Sequence, residues 1–405
     1  MIRASSGIST GGDIVECAEN AARSAMRRLN SSTSGKADIA LVFTSGDHPG
    51  AYLSVLQTIR GICGTSNLAG CSGAGILTDE REVEGDGGVA VLAVASDSLR
   101  ARPFFVKDLR GRDREAGREI GRLLEPMHHE NPMLVLFPDT LSLNPEQLFL
   151  GIHEVAGPVP VVGGGAACGS GTGGTTHQFC GGDAATNAVS GVILTGSIVC
   201  SVGVTQSCLP VGRARRVTSA VGNSIKSLDG MPAVRALLES LAGGPGREIT
   251  DDLPRLAPHV FVAFPPGLAR DLKRGQYVVR NILGVDPDDG SIFVGREIEE
   301  GDILYFALRD PDGARDDLKA MLEENLPLAG QPAVGLYFNC CARGSGLYGL
   351  PDIDTAYIRN CFSELPLAGF FGYAEIASLL GRARLHNYTG VMALVSEAPR
   401  GARAS

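Results

Sequence analysis

One pattern recurs three times along this 405-residue chain and limits what it can fold into: an apolar strand, a glycine-bearing loop, a helical stretch, a second strand ending at glycines, and a third strand opening on Gly-Val. The first copy reads ADIALVFTSG, then NLAGCSGAGIL, then GGVAVLAVAS. The second reads MLVLFPDT, VPVVGGGAACGSG and VSGVILTGS; the third reads LYFNCCARGSGLYG, ELPLAGFFGYAEIA and LHNYTGVMALV. Gly70, Gly163 and Gly369 stand at matching points, where a residue without Cβ lets the chain turn at positive φ or lets another group come close. The spacing from each first strand to its glycine is that of a βαβ unit of about 30 residues. Agreement in order as well as composition reads as an internal repeat of supersecondary units.

The expected fold class is therefore α/β, with repeated strand-helix-strand units, mixed sheets, two domains and a small β-rich insertion in the second. The chain is long enough for two or three cores at about 100–200 residues per domain. With 54 Gly and no Trp it suits short strands and tight loops better than a helical bundle. Domain 1 is expected over residues 1–208 and domain 2 over 209–396, with a disordered tail at 397–405. The boundary is placed at Cys208 to Gly212, where apolar strands give way to RARRVTSAVGNSIKSLDG.

Local signals fill in the frame. Apolar and small residues at helical spacing predict an amphipathic helix over Asp13 to Leu29, with cap chemistry from Ser9-Thr10-Gly11-Gly12. Asp229-Gly230 marks a turn before a helix opening near Pro232. Asp286-Pro287-Asp288-Asp289-Gly290 sits between alternating segments as a hairpin within the insertion at Gln276 to Arg309. It lacks the ligand spacing of a calcium loop.

A net charge of −9 argues against a nucleic-acid partner, which would need concentrated Lys and Arg. No apolar run reaches the ~18–20 residues of a membrane span, and the N-terminus lacks a signal-peptide core, so a cytoplasmic protein is expected. The ten cysteines fit a reducing compartment, and none has the C-x-x-C spacing of zinc or thioredoxin-like sites.

Taken together, FNCCARG, PLAGFFGYAEI and LHNYTGVMAL, with the preceding VVRNILGVDPDDGSIFVGREIEEGD hairpin, resemble the C-terminal part of the FIST family. LVFTSG, NLAGCSGAGI and PVVGGG look like its N-terminal domain, so the resemblance runs from about Ala4 to Val395. It implies an intracellular ligand-binding input module for signal transduction. An amino-acid-like ligand has been proposed for the family, and some bacterial members resemble haem-binding sensors of nitric oxide. Neither an F-box bundle in front nor a kinase, cyclase or receiver behind is expected. The signal is then expected to pass to a separate output protein or through a homo-oligomer.

Candidate site residues cluster in the third copy. Cys340, Arg343 and Gly344 follow the strand Val334 to Phe338 at its carboxyl end, where open α/β sheets place ligands. Arg343 offers a planar fork of donors for a carboxylate or phosphate, or is a surface arginine. Glu375, in an apolar run, is a counter-group for a ligand amine, an orienter of His386, or a helix-start carboxylate. His386 opens the last strand with Tyr388 and Thr389 close by, matching a His-x-x-Thr pattern of the family. Gly70, Cys71 and Ser72, with Gly163 and Gly164, form glycine loops that would wall a pocket or offer N–H groups to an anion.

Three functions remain open on these residues. The first is a binding module that takes a small polar ligand. The second is a gas sensor holding haem non-covalently through His386 or a cysteine. The third is an acyl-transfer enzyme with Cys340 as nucleophile and His386 as base.

Overall fold

The computed structural model describes residues 1–30, 35–85, 87–169, 174–242, 259–266 and 272–399. The first copy comprises β1 (Ile2–Thr10), α1 (Ile14–Asn30), β2 (Ile39–Ser45), α2 (Tyr52–Cys63), β3 (Leu68–Gly73), β4 (Gly75–Thr78), β5 (Glu82–Glu84) and β6 (Gly88–Ser96). The second repeats that order with β7 (Leu99–Lys107), α3 (Asp113–Leu124), β8 (Met133–Pro138), α4 (Pro145–Ala156), β9 (Val161–Gly165), β10 (Gln178–Cys180), β11 (Asp183–Ala185) and β12 (Ala188–Gly196).

The third copy opens with β13 (Ile198–Gln206) and is then interrupted. The inserted elements are β14 (Cys208–Val221), β15 (Ser224–Leu228), β16 (Met231–Pro232), α5 (Ala233–Ala242), β17 (Val260–Phe264), β18 (Val278–Val285), β19 (Ile292–Val294) and β20 (Ile303–Arg309). The copy resumes with α6 (Pro311–Ala329), β21 (Val334–Cys340), α7 (Ser345–Tyr348), α8 (Ile353–Cys361), β22 (Leu367–Gly372), β23 (Ala374–Leu379), β24 (Arg382–His386) and β25 (Thr389–Glu397).

Two compact units result. The first holds Met1–Val204, Leu318–Leu385 and Thr389–Ser405; the second holds Thr205–Asp317 and His386–Tyr388. This differs from the expected linear division at 208, because the strands of the third copy complete sheets with the first two copies. Glu397, placed in the expected tail, closes β25; residues 400–405 lie outside the described residues.

In the first unit the three sheets have one plan. Their orders are β1-β6-β2-β3-β10-β11, β7-β12-β8-β9-β23-β24 and β13-β25-β21-β22-β4-β5. Each contains one parallel pair, β2 with β3, β8 with β9 and β21 with β22, flanked by antiparallel neighbours. Each sheet is finished by a hairpin borrowed from another copy: the second lends to the first, the third to the second, and the first to the third. The exchange is cyclic, so the copies form an approximate threefold arrangement that no copy completes alone.

The register explains the matching glycines. Gly70 lies opposite Val42, Gly163 opposite Leu136 and Gly369 opposite Tyr337. A Cβ on these glycines would lie 1.7, 2.0 and 1.7 Å from the carbonyl oxygen of that partner. No side chain fits, so glycine is required by close backbone approach.

Alternation along the central strands sorts side chains to two faces. Leu41 and Phe43, Val135 and Phe137, and Leu336 and Phe338 enter one shared core, where Phe43, Phe137, Phe338 and Phe370 touch with ring centroids 5.1–6.1 Å apart. Val42, Leu136 and Tyr337 instead face separate helix-covered cores.

Helix α1 buries Ile14, Cys17, Ala18, Ala21, Ala22, Ala25, Met26 and Leu29, the face its spacing predicts. Its cap comes from Asp13, whose Oδ1 accepts the N–H groups of Val15 and Glu16, while Ser9 and Thr10 belong to β1.

The second unit is a seven-stranded sheet, β14-β20-β17-β18-β19-β15-β16, packed on α5. Asp229 and Gly230 turn at φ 51° and 82°, as expected before α5. The acidic loop between β18 and β19 is a hairpin turn in which Asp286 and Asp289 accept backbone N–H groups of Asp288 and Ser291. The β-rich insertion is thus larger than residues 276–309.

Candidate functional site

Strand β21 ends in a turn closed by the Arg343 N–H donating to the Cys340 carbonyl at 2.8 Å. That turn sends Arg343 inward, not to the surface. Its side chain is fully buried and grips Asp354, with Nε donating to Oδ2 at 3.2 Å and Nη2 to Oδ1 and Oδ2 at 3.1 and 3.0 Å. Arg343 Nη2 also donates to Tyr348 Oη at 2.7 Å, and Tyr337 Oη and Asn339 Nδ2 donate to Asp354 at 2.9 and 3.0 Å. Burial disfavours the guanidinium charge, but Asp354 lies against it and holds its pKa above the usual range. The fork expected to clamp a ligand carboxylate therefore holds one of the protein's own.

The β5 hairpin of the first copy completes this cluster. Glu82 Oε1 accepts the Thr355 N–H at 2.8 Å, and the Glu82 N–H donates to Asp352 Oδ1. Burial first, and the neighbouring Asp354 second, push the Glu82 carboxyl up to about 8. Gly344 is required here: its φ is 60°, and a Cβ would lie 2.5 Å from the Glu84 carboxylate, which accepts the Ser345 N–H. The group that approaches the glycine turn is thus Glu84.

Around Asp354, three buried polar atoms have no hydrogen-bond partner among the described residues: Arg343 Nη1, Asn339 Oδ1 and Glu82 Oε2. One is a donor and two belong to acceptor or carboxyl groups. Buried polar atoms left unpaired are rare and costly.

Glu375 lies on β23, not at a helix start, opposite Gly164. It is fully buried, and its Oε2 accepts the N–H and Oγ1–H of Thr389 at 3.2 and 2.7 Å. Burial, then Cys340, raises its pKa well above the carboxylate range. Cys340 is 4% exposed, whereas its neighbour Cys341 is exposed. Cys168 Sγ and Tyr373 Oη lie 2.8 Å apart nearby.

Cys340, Arg343, Gly344, Glu375 and Thr389 thus belong to the first unit, and His386 and Tyr388 to the second. There, Tyr388 turns at φ 59° against the Phe261 ring. The expected glycine loops are strand. Ser72 exchanges backbone hydrogen bonds with His177 and Ala167, Cys71 is core, and Gly164 accommodates the Phe370 ring. Those N–H groups serve sheet ladders, so no anion cradle forms.

Sequence reading missed Glu82, Tyr337, Asn339, Tyr348, Asp354 and Cys341. A Tyr and an Asn at alternate, helix-facing positions of an otherwise alkyl strand were a usable signal. Glu82 and Asp354 gave none, since they lie 272 residues apart in number and meet only through the borrowed hairpin. Among the described residues, no group of three or more His, Cys, Asp or Glu could hold a metal ion, and no helix is long and apolar enough to cross a membrane.

Similarity to known proteins extends along nearly the whole chain. An uncharacterised protein of Mycobacterium tuberculosis is 31% identical over 390 residues, covering 96% of this chain and 98% of its own length. One of Mycobacterium bovis is 30% identical over 395 residues, covering 96% and 97%. Among solved structures, a chorismatase aligns with TM-score 0.35 at 9% identity, over 98% of this chain and 99% of its own. A cyanuric acid hydrolase from A. caulinodans aligns with TM-score 0.32 at 11% identity, over 98% and 100%. Neither likeness bears on the chemistry of this chain. The FIST N domain model matches residues 38–231 and the FIST C domain model residues 233–378, so the chain belongs to the FIST family of sensory, ligand-binding domains of signal transduction.

Proposed function

We propose that this protein senses a small amino-acid-like molecule, which it binds around Asp354 and releases unchanged. The observation that supports this is the trio of buried, unpartnered polar atoms, Arg343 Nη1, Asn339 Oδ1 and Glu82 Oε2, beside a strong ion pair. A zwitterion matches that trio in kind. Its carboxylate would accept from Arg343 Nη1, and its ammonium would donate to Asn339 Oδ1 and Glu82 Oε2. Glu82 is the least buried of the three at 6% exposure. Its link to Asp352, a non-glycine residue at φ 63° leading into α8, offers a way to pass occupancy to a helix.

Calorimetry against a panel of free amino acids tests the reading. An ammonium beside Glu82 would lower its pKa from about 8, so binding at pH 7 should release a proton. The measured enthalpy should then vary with the ionisation enthalpy of the buffer. Glu82→Gln should abolish that proton release and weaken binding about 10- to 100-fold, the worth of one charge-assisted hydrogen bond. Failure of every panel member to bind, or equal binding by the variant, removes the site. Chemical change of a bound amino acid, read by NMR, removes the non-catalytic reading.

A further inference from the structure

The turn after β21 carries a second chemistry that does not rest on the ligand reading. Cys340 and Cys341 are adjacent, one buried and one exposed. The peptide between them is held from both sides. The Cys341 N–H donates to the Gly372 carbonyl at 2.8 Å, and the Cys340 carbonyl accepts the Arg343 N–H at 2.8 Å. Around the pair stand the Glu375 carboxyl and the Cys168–Tyr373 contact, all within electrostatic reach of Cys341.

We propose that Cys341 is a reactive thiol that hydroperoxides oxidise, and that it closes a reversible vicinal disulfide with Cys340. In the first step the Cys341 sulfur attacks the distal oxygen of R–O–O–H. The O–O bond breaks, Cys341 becomes a sulfenic acid, and the alkoxide leaves as R–OH after taking up the proton that Cys341 gave up. In the second step the Cys340 sulfur attacks the Cys341 sulfur, the S–S bond forms, and the sulfenic hydroxyl leaves with the Cys340 proton as water. Two thiols and one hydroperoxide thus give one disulfide, one alcohol and one water.

Three observations carry this. Cys341 is the exposed member of the pair, so a small peroxide can reach it. The adjoining Cys340 thiol favours the thiolate of Cys341 and lowers its pKa, against the opposing effects of burial, Glu375 and Cys168, whereas burial alone pushes Cys63 and Cys200 up to about 12. The resolving thiol is on the adjacent residue, while Cys168 is engaged by Tyr373. Adjacent Cα atoms lie about 3.8 Å apart, short of the ~4.4–6.8 Å usual for a disulfide, so the bond is strained and easily reduced. Such a bond suits a signal better than a structural link. It would also twist the peptide leading into Arg343.

The test treats the full-length protein with one equivalent of hydrogen peroxide at neutral pH and maps its peptides by mass spectrometry. The peptide holding Cys340 and Cys341 should be lighter by two hydrogens and should recover on dithiothreitol. In Cys340→Ser, or Cys340→Ala if the serine variant does not fold, dimedone should label Cys341. In the reduced wild type, iodoacetamide should modify Cys341 at least about tenfold faster than the half-buried Cys180 and Cys361. Equal rates overturn the proposal, as does a disulfide from Cys341 to Cys168 or to a second chain, or oxidation that persists unchanged in Cys341→Ser.

Discussion

The first and third copies share a backbone and differ in what their central strand shows to its helices. In β2 the helix-facing positions opposite and two beyond the matching glycine are Val42 and Thr44; in β21 they are Tyr337 and Asn339. Around Val42 the first copy closes an alkyl core with Ala18, Ala22, Val55 and Leu56. Around Tyr337 and Asn339 the third copy builds a buried polar cluster on Asp354 and Arg343. The glycine register is therefore an architectural constant, and the side chains beside it are free to carry chemistry in one copy only.

The sharpest way to break this comparison is at the glycines themselves. Gly70→Ala and Gly369→Ala should each cost more than about 4 kcal/mol, measured by urea unfolding, because the new Cβ meets a backbone oxygen that cannot move aside. Tolerance in either copy would show that the two are not equivalent.

A smaller and asymmetric effect is expected from the polar cluster. Arg343→Met should lose about 3–5 kcal/mol by leaving Asp354 charged and unpaired, and Arg343→Met with Asp354→Leu should recover most of it. In the first copy, Thr44→Val should change the urea midpoint little. An Arg343→Met variant as stable as wild type would place the pair outside the stabilising interior.

Glu82 gives the smallest effect, with a defined sign. Its pKa is raised from 4.5 to about 8 in the fold, so the folded state binds the extra proton between those values. Stability from this group is full below pH about 4.5 and declines as pH rises toward 8. Glu82→Gln should flatten that decline and gain about 2–4 kcal/mol at pH 8. A decline as steep in the variant assigns the pH dependence elsewhere.

Much of the fold was legible because it is written in period and glycine. Gly70, Gly163 and Gly369 aligned by pattern alone, and the reason, a carbonyl under 2.1 Å from any Cβ, is local to a parallel pair. Site residues were less legible. Arg343 stood out against its glycine and alkyl surroundings, yet a sequence does not say whether a guanidinium turns outward to a ligand or inward to Asp354. Ser72 and Gly164 looked like loop because glycine and serine also mark loops, but ladder partners from another copy made them strand.

By itself the sequence determined the strand alternation, the threefold repeat, the glycine positions and the FIST family. Each depends on neighbours within a few residues or on recurrence along the chain. Only the tertiary structure decided that the copies exchange hairpins, that Glu82 joins Asp354, and that Cys341 is exposed while Cys340 is buried. Those facts depend on which surfaces meet across hundreds of residues, and burial there sets charge, protonation and access.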